Sequence, residues 1–342
     1  MLLTRREAMA GTCGGLAVLT GLLALTQKAL IPKALISAAW AEPAYPSQAI
    51  KLIVPYPAGG TTDFLGRLVA EQFRTGLGAT VVVENKPGAA TALGADQVAR
   101  SAPDGYTLLL ATSTTLAINK ALYRKLAYDP VRDFTPIALV AGVPFALIVS
   151  PSLPVKTLTE FIAYAKSNPG LAYGSAGNGS PQHLGAEMLK AAAGIDVRHV
   201  SYRGGVPAML DVIAGRIPFM VVDLPVALPQ IREGKVRVLG VTTLSRVAVA
   251  SEIPTLAEAG LPGFELVPWQ GVVAPAGLPR TIADRLAAQI ATLVDDPATR
   301  DRLTTMALEP LTGSTPDSFA AYVRSEVDRW ADIVRNSGAE LE

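Results

Sequence analysis

Cysteine is nearly missing from this chain of 342 residues: Cys13 is the only one, and it lies in the N-terminal segment. The remainder therefore has no disulfide, cysteine nucleophile or thiolate metal site. Histidine is almost as scarce. His183 and His199 are the only two, and without a third ligand at a zinc-enzyme spacing they do not make a metal site, so neither metal nor cofactor is expected. An excess of charge of one sign is missing too, with 30 Lys and Arg against 29 Asp and Glu. A nucleic-acid surface needs clustered cations, and the sequence has no such cluster. Charged residues make up 17% and hydrophobic ones 50%, which excludes a disordered chain and points to packed cores. The length favours about two domains.

No apolar run spans a bilayer comfortably. The longest, Gly14 to Leu25, contains Thr20 and follows Thr4-Arg5-Arg6. With Ala39-Trp40-Ala41 in a small-x-small pattern, residues 1–41 read as a cleavable export signal, twin-arginine or general secretory, with a retained anchor as the alternative. Cys13 precedes the apolar run and is not placed as a lipoprotein cysteine. Removing the segment leaves 26 Lys and Arg against 28 Asp and Glu, so the exported chain is slightly acidic and its expected compartment is the periplasm.

From Ile50 the chain alternates short β-rich runs with helical patterns. "IKLIV" (50–54), "TVVVE" (80–84) and "YTLLLA" (106–111) read as buried parallel strands, being nearly continuous apolar runs bounded by turn residues. Leu65, Leu68, Val69 and Phe73 fall on one helical face between the first two. This predicts βαβ units and a doubly wound sheet. A second α/β series begins at "FALIVS" (145–150). Thr157 and Glu160 form a capping box ahead of a helix stopped at Asn168-Pro169-Gly170. "LAYGS" (171–175), "VRHVSY" (197–202), "FMVVD" (219–223) and "VRVLGVT" (236–242) are strands, with helices over about 181–193 and 205–214. "FELVPWQGVVAPAG" (264–277) is extended, and 279–294 and 316–334 are helical, the last capped by Thr315. With no linker between the halves, the chain is expected to cross between them near 141–147 and 266–273, leaving a cleft.

Four turns that follow predicted strands carry the chemistry. In the first, Tyr56-Pro57-Ala58-Gly59-Gly60-Thr61, glycine lets backbone N–H groups approach a ligand, and the helix start offers unpaired donors suited to an anion. The spacing is that of neither a dinucleotide fingerprint nor a P-loop. Asp63 would repel such an anion. It is either a cap held by nearby N–H groups or a contact to an amine, hydroxyl or bridging water of the ligand. Thr112, Ser113 and Thr114 form the second turn. The third, "YGSAGNGSPQH" (173–183), holds Ser175, Gly177, Gly179, Ser180 and His183, and the fourth holds Tyr202, Arg203 and Gly204. Arg203 is either a bidentate grip on a carboxylate or a solvated surface charge. Asp223, at the end of a strand, completes the candidate set. His199 sits in a strand pattern and reads as structural. A hydrolase built on Ser175 or Ser180 with His183 lacks the Gly-x-Ser-x-Gly elbow and an orienting third group, so no enzyme is expected.

At these residues the sequence resembles the Bug-type extracytoplasmic solute receptors of tripartite tricarboxylate transporters. The resemblance runs in order through "YPSQAIKLIVPYPAGGTTD", "VVVENKPGAA", "APDGYTLLLAT", "YGSAGNGSPQHLGAEML", "YRGGVPAMLDVIAGRI", "IPTLAEAGLPGFE" and "WQGVVAPAGLP". It implies an α/β, two-lobed periplasmic binding protein, type II-like, each lobe a mainly parallel sheet flanked by helices with a ligand cleft between. Lobe 1 would comprise 45–143 plus 268–342, and lobe 2 144–267. It further implies a monomeric receptor, with no nucleic-acid partner, that presents an organic acid to integral membrane permease subunits. The acid is a mono-, di- or tricarboxylate, aromatic ones included, with one carboxylate on the turn from Tyr56 to Asp63. A periplasmic sensor and the effector domain of a regulator are the rival readings, and the latter lacks an N-terminal helix-turn-helix. Two departures bear on specificity. "AATALG" places Ala90, Thr91 and Leu93 where the family has smaller or polar residues, and "LPVALPQ" after Asp223 is apolar, which favours an aromatic or short aliphatic acid over citrate.

Overall fold

The computed structural model describes residues 45–337; the export-signal reading of 1–41, Cys13 included, lies outside the described residues. The first series builds β1 (Ile50–Val54), α1 (Thr61–Leu77), β2 (Val81–Asn85), α2 (Ala92–Ala99) and β3 (Thr107–Thr112). A π-helical turn at Thr114–Ile118 then leads into the short α3 (Asn119–Leu122) and β4 (Phe134–Gly142). The chain passes to β5 (Phe145–Val149), α4 (Leu158–Ser167), β6 (Leu171–Ser175), α5 (Pro181–Ala193) and β7 (Val197–Ser201). There follow α6 (Gly205–Ile213), β8 (Phe219–Asp223), α7 (Leu224–Arg232) and β9 (Arg237–Val241). It returns through β10 (Trp269–Pro275), α8 (Arg280–Asp295), α9 (Pro297–Thr305), β11 (Glu309–Pro310) and α10 (Pro316–Ser337).

These strands form two sheets, ordered β11-β4-β10-β3-β1-β2 and β7-β6-β8-β5-β9. β1 pairs in parallel with β2 and β3, and β6 with β7 and β8. β10 runs against β3 and β4, and β5 against β8 and β9. These two reversed strands begin where the chain passes between sheets, so each arrives from the opposite direction. Most strands of each sheet still share one direction, and helices cover the faces.

Local sequence explains most elements. In α1, Leu65, Val69 and Phe73 are buried on one face, and Gly78 ends the helix in the left-handed region. The Thr157 hydroxyl accepts from the Glu160 N–H at 3.2 Å, but Glu160 reaches back one residue further than expected, to the Lys156 N–H. Thr315 accepts from the Ser318 N–H at 3.1 Å and caps α10. The buried reading of "TVVVE" needs correction: β2 is an edge strand, and Val82 is 52% exposed. Its apolar character covers one face only. β4, α2, α7 and α9 have no counterpart in the sequence reading. α7 carries Pro225 in its first turn and Pro229 inside it, which hides its helical period.

The two passages between sheets are tied together. The Val143 N–H donates to the Pro268 carbonyl at 2.7 Å, and the Thr242 hydroxyl donates to the Leu266 carbonyl at 2.6 Å. Beside them, the buried Glu326 of α10 accepts from the indole N–H of Trp269 at 2.6 Å and of Trp330 at 2.8 Å.

The turn before α2 is strained. Ala89, Ala90 and Thr91 have φ of 47°, 45° and 75°, a left-handed run without a glycine. Leu93 projects outward, 60% exposed. Replacing Ala90 with glycine removes a steric cost that outweighs the added unfolded-state entropy, so A90G is expected to stabilise by about 1 kcal/mol. A urea midpoint that does not rise would show that the turn is relaxed.

Candidate functional site

Between the ends of the two sheets lies a cavity of about 300 Å³, the size of a small-molecule site. One side is built on the first sheet. The turn after β1 brings Tyr56, Pro57 and Ala58 to the rim and aims the start of α1, Gly60 to Thr62, into the space. Those leading N–H groups have no intrahelical acceptor and carry the positive end of the helix dipole. Thr112 and Ser113, at the end of β3, lie alongside. The other side comes from the second sheet: Ala176, Pro181 and Gln182 at the start of α5, Arg203 to Pro207 at the start of α6, and Asp223 and Val226 around the start of α7. Val143, Phe145, Pro268, Trp269 and Gln270 close the back, where the chain crosses. Strand ends and helix starts converge here because the parallel strands β1, β3, β6, β7 and β8 all end on this edge.

The two sides already touch. The Thr61 hydroxyl donates to Asp223 Oδ2, joining the start of α1 to the end of β8, and the Gln182 amide donates to Oδ1 at 3.3 Å. Gly204 approaches Pro57 closely enough that a side chain there would meet the proline ring. Burial raises the Asp223 pKa against the lowering influence of Thr61 and Gln182. Gln270 donates to the Thr62 hydroxyl at 3.1 Å, and the Tyr56 hydroxyl lies 3.2 Å from Thr114 Oγ1. Ser113 Oγ, Gln182 Oε1 and Gln270 Oε1 are buried without a hydrogen-bond partner. Orphaned polar atoms are costly in a folded interior, and three on one cavity mark a place where a polar ligand belongs. Arg203 is exposed at the rim and makes no hydrogen bond or ion pair among the described residues.

A cleft with this topology, and an anion-ready helix start facing a back wall that is apolar but for Gln270, agrees with the comparisons to known proteins. Residues 65–339 match the tripartite tricarboxylate transporter family receptor. The chain belongs to this family. Its receptors are periplasmic solute-binding proteins. The protein BugT of Bordetella pertussis is 34% identical over 300 residues, covering 87% of this chain and 92% of that one. Among solved structures, R. palustris Rpa4515 with adipate has 36% identity and a TM-score of 0.84, covering 87% of this chain and all of that one. MatC (Rpa3494) from Rhodopseudomonas palustris with bound malate has 34% identity and a TM-score of 0.80, covering 85% and 100%.

Within this receptor fold, the structure places the candidate residues unevenly. Tyr56, Ala58, Gly60, Thr61, Thr112, Ser113, Arg203, Gly204 and Asp223 line the cavity. Asp63 does not. Its carboxylate is 5% exposed and accepts from the Gly59 N–H, from Asn85 and from both Arg67 nitrogens, all at 3.0–3.1 Å. Burial favours the protonated form, but these partners outweigh it and hold the pKa below the usual range. The Gly59 N–H is thereby engaged with Asp63. Thr114 reaches the site only through Tyr56. Ser175, Gly177, Gly179 and Ser180 shape the third turn from behind: Ser180 caps α5 through the His183 N–H and donates to the Gly177 carbonyl. Tyr202 is turned to Asp211 at 2.7 Å. Ala90, Thr91 and Leu93 stay off the cavity, so the altered "AATALG" turn acts on the packing beneath α2, where the buried Thr91 accepts from Thr115.

Val143, Phe145, Trp269 and Gln270 lie in the two crossings expected near 141–147 and 266–273, but they are not among the candidate site residues because they carry none of the turn chemistry that marks the others. Gln182 and Thr62 sat inside quoted turns, so that signal was present. Among the described residues, no group of three or more His, Cys, Asp and Glu is placed to hold a metal, and no helix is long and apolar enough to cross a membrane.

The two histidines form a stack behind the third turn, with ring centroids 4.1 Å apart and Tyr173 against His199. The Gly179 N–H donates to His183 Nδ1 at 3.2 Å, and Ser175 Oγ lies 2.6 Å from His199 Nε2. That Ser-His pair resembles the start of a catalytic dyad, but Ser175 is fully buried and outside the cavity. Burial lowers both histidine pKa values to about 4, helped by Lys190 at His183 and by His183 at His199, while Glu187 pulls His199 the other way. Both groups bind protons more readily unfolded. Their contribution to stability is therefore complete above about pH 6.5 and is lost as pH falls toward 4. Discounted for partial exposure, the pair is expected to remove roughly 2–3 kcal/mol over that window. Asp223 acts in the opposite sense. A Tm that stays flat from pH 7 to 4.5, or falls equally in a His199→Gln variant, would show that the stack does not titrate.

Proposed function

We propose that this protein is a periplasmic solute-binding receptor that captures a small organic carboxylate between its two lobes and delivers it to a tripartite tricarboxylate-type membrane permease. The observation that carries the reading is the cavity. It joins the unpaired start of α1 to three orphaned polar atoms and the apolar Val143, Phe145 and Trp269, in a family with solved members that hold adipate and malate. Export by residues 1–41 supplies the compartment, and lobes of 45–143 with 268–342 and of 144–267 hinge at the crossings near Val143 and Pro268. Charge-assisted hydrogen bonds of about 1.5–3 kcal/mol each, together with lobe closure, reach the roughly 8 kcal/mol of a micromolar receptor. Preference of the ligand for the closed state is the signal the permease reads. No bond-making step is needed.

The test is a thermal-shift panel of mono-, di- and tricarboxylates, aromatic acids and amino acids, since a ligand that binds only the native state raises its Tm. A concentration-dependent rise confined to one chemical class supports the receptor. Silence across the panel, with native mass spectrometry showing no co-purified ligand, removes the reading in favour of a sensor or an exported hydrolase.

A further inference from the structure

Asp223, at the end of β8, lines the cavity. Its carboxyl group is 8% exposed at the cavity wall, and both of its oxygens accept hydrogen bonds, from Thr61 and from Gln182. Those donors are neutral. No Lys, Arg or His within salt-bridge distance pairs with it among the described residues, unlike the Arg67 partner of Asp63. A buried carboxylate with only neutral donors lacks a countercharge.

Thr61 ties this carboxylate to the anion site. Its backbone N–H belongs to the open start of α1, and its hydroxyl holds Asp223. The place for a ligand carboxylate and the carboxyl of Asp223 are thus separated by the span of one residue. A simple acid bound there would bring two negative charges together, and the cation on the lining, Arg203, is exposed at the rim rather than between them. A cation interposed between them converts the repulsion into two attractions. Gln182 supports the same polarity: its NH₂ end is committed to Asp223, so its orphaned Oε1 is an acceptor in need of a donor. Ser113 Oγ, also orphaned and fully buried, stands on the opposite wall.

We propose that the receptor selects an α-amino acid, with its carboxylate on the Gly60–Thr62 helix start, its ammonium on Asp223, and an apolar side chain among Val143, Phe145, Val226 and Trp269. The inference rests on the receptor reading above and names its substrate class. The two charges of an α-amino acid are one carbon apart, which matches two sites held by the backbone and side chain of one threonine. The back wall offers the side chain no charged partner.

Matched pairs test it by calorimetry on the purified protein: L-phenylalanine against 3-phenylpropanoate, and L-leucine against 4-methylpentanoate, with adipate and malate alongside. The amino member of at least one pair is expected to bind about 30-fold or more tightly than its partner, the scale of losing one side of a buried charge pair. Asp223→Asn keeps the shape and removes the charge, so that ratio should collapse toward unity. A des-amino acid that binds as well as its amino twin overturns the proposal without needing the variant. So does tighter binding of adipate or malate as pH falls, which would make Asp223 a protonated donor to a second carboxylate. In either case the receptor reading stands. Absence of binding by every acid overturns both.

Discussion

Replacing Glu326 with leucine lowers the stability of the protein by about 3–4 kcal/mol, read as a fall in the urea midpoint at unchanged m-value. The carboxylate is 3% exposed and serves three donors: the Trp269 and Trp330 indoles at 2.6 and 2.8 Å, and Arg329 at 3.3 Å. Leucine fills the volume and leaves two buried N–H groups with no acceptor. Each carries a desolvation penalty of about 1–3 kcal/mol that nothing repays. Glu326→Gln keeps one acceptor oxygen and should lose about half as much. Because Trp269 also walls the cavity at the return crossing, the leucine variant should alter indole fluorescence as well. A loss below about 1 kcal/mol would mean that water reaches the indoles and that α10 does not clamp the crossing.

Val226→Trp abolishes ligand binding, with affinity for the acid giving the largest thermal shift falling roughly 100-fold or more. Val226 stands at the start of α7, partly exposed to the cavity, and an indole there occupies much of the 300 Å³ available. The same position is not packed deep in the core, so the variant should unfold within about 1 kcal/mol of the parent. The contrast between intact stability and lost binding separates a blocked site from a broken fold. Retained affinity within a few-fold would move the ligand elsewhere.

Much of this architecture was legible because local rules and tertiary structure agree. β1, β6, β8 and α5 fall at the residues their patterns mark, since continuous apolar runs bounded by glycine and proline allow only a buried strand, and Pro181 with Ser180 fixes a helix start. α7 was not legible, because two prolines disguise a helix that its neighbours hold in place. β2 was misjudged as buried, because three valines in a row cannot reveal that the strand is the last in its sheet.

The site divides in the same way. The sequence alone determined that glycine-rich and hydroxyl-rich turns follow the strands and that one of them opens a helix with unpaired N–H groups. These are properties of residue type and short spacing, set within a few positions of chain. Only the tertiary structure decided which turns meet. Asp63 and Asp223 look alike in sequence, each an acid close to the end of a predicted strand. Packing gives Asp63 to Arg67, four residues along the same helix, and brings Asp223 to Thr61 from 162 positions away. A contact across that distance depends on how two sheets face each other, and no local pattern encodes it.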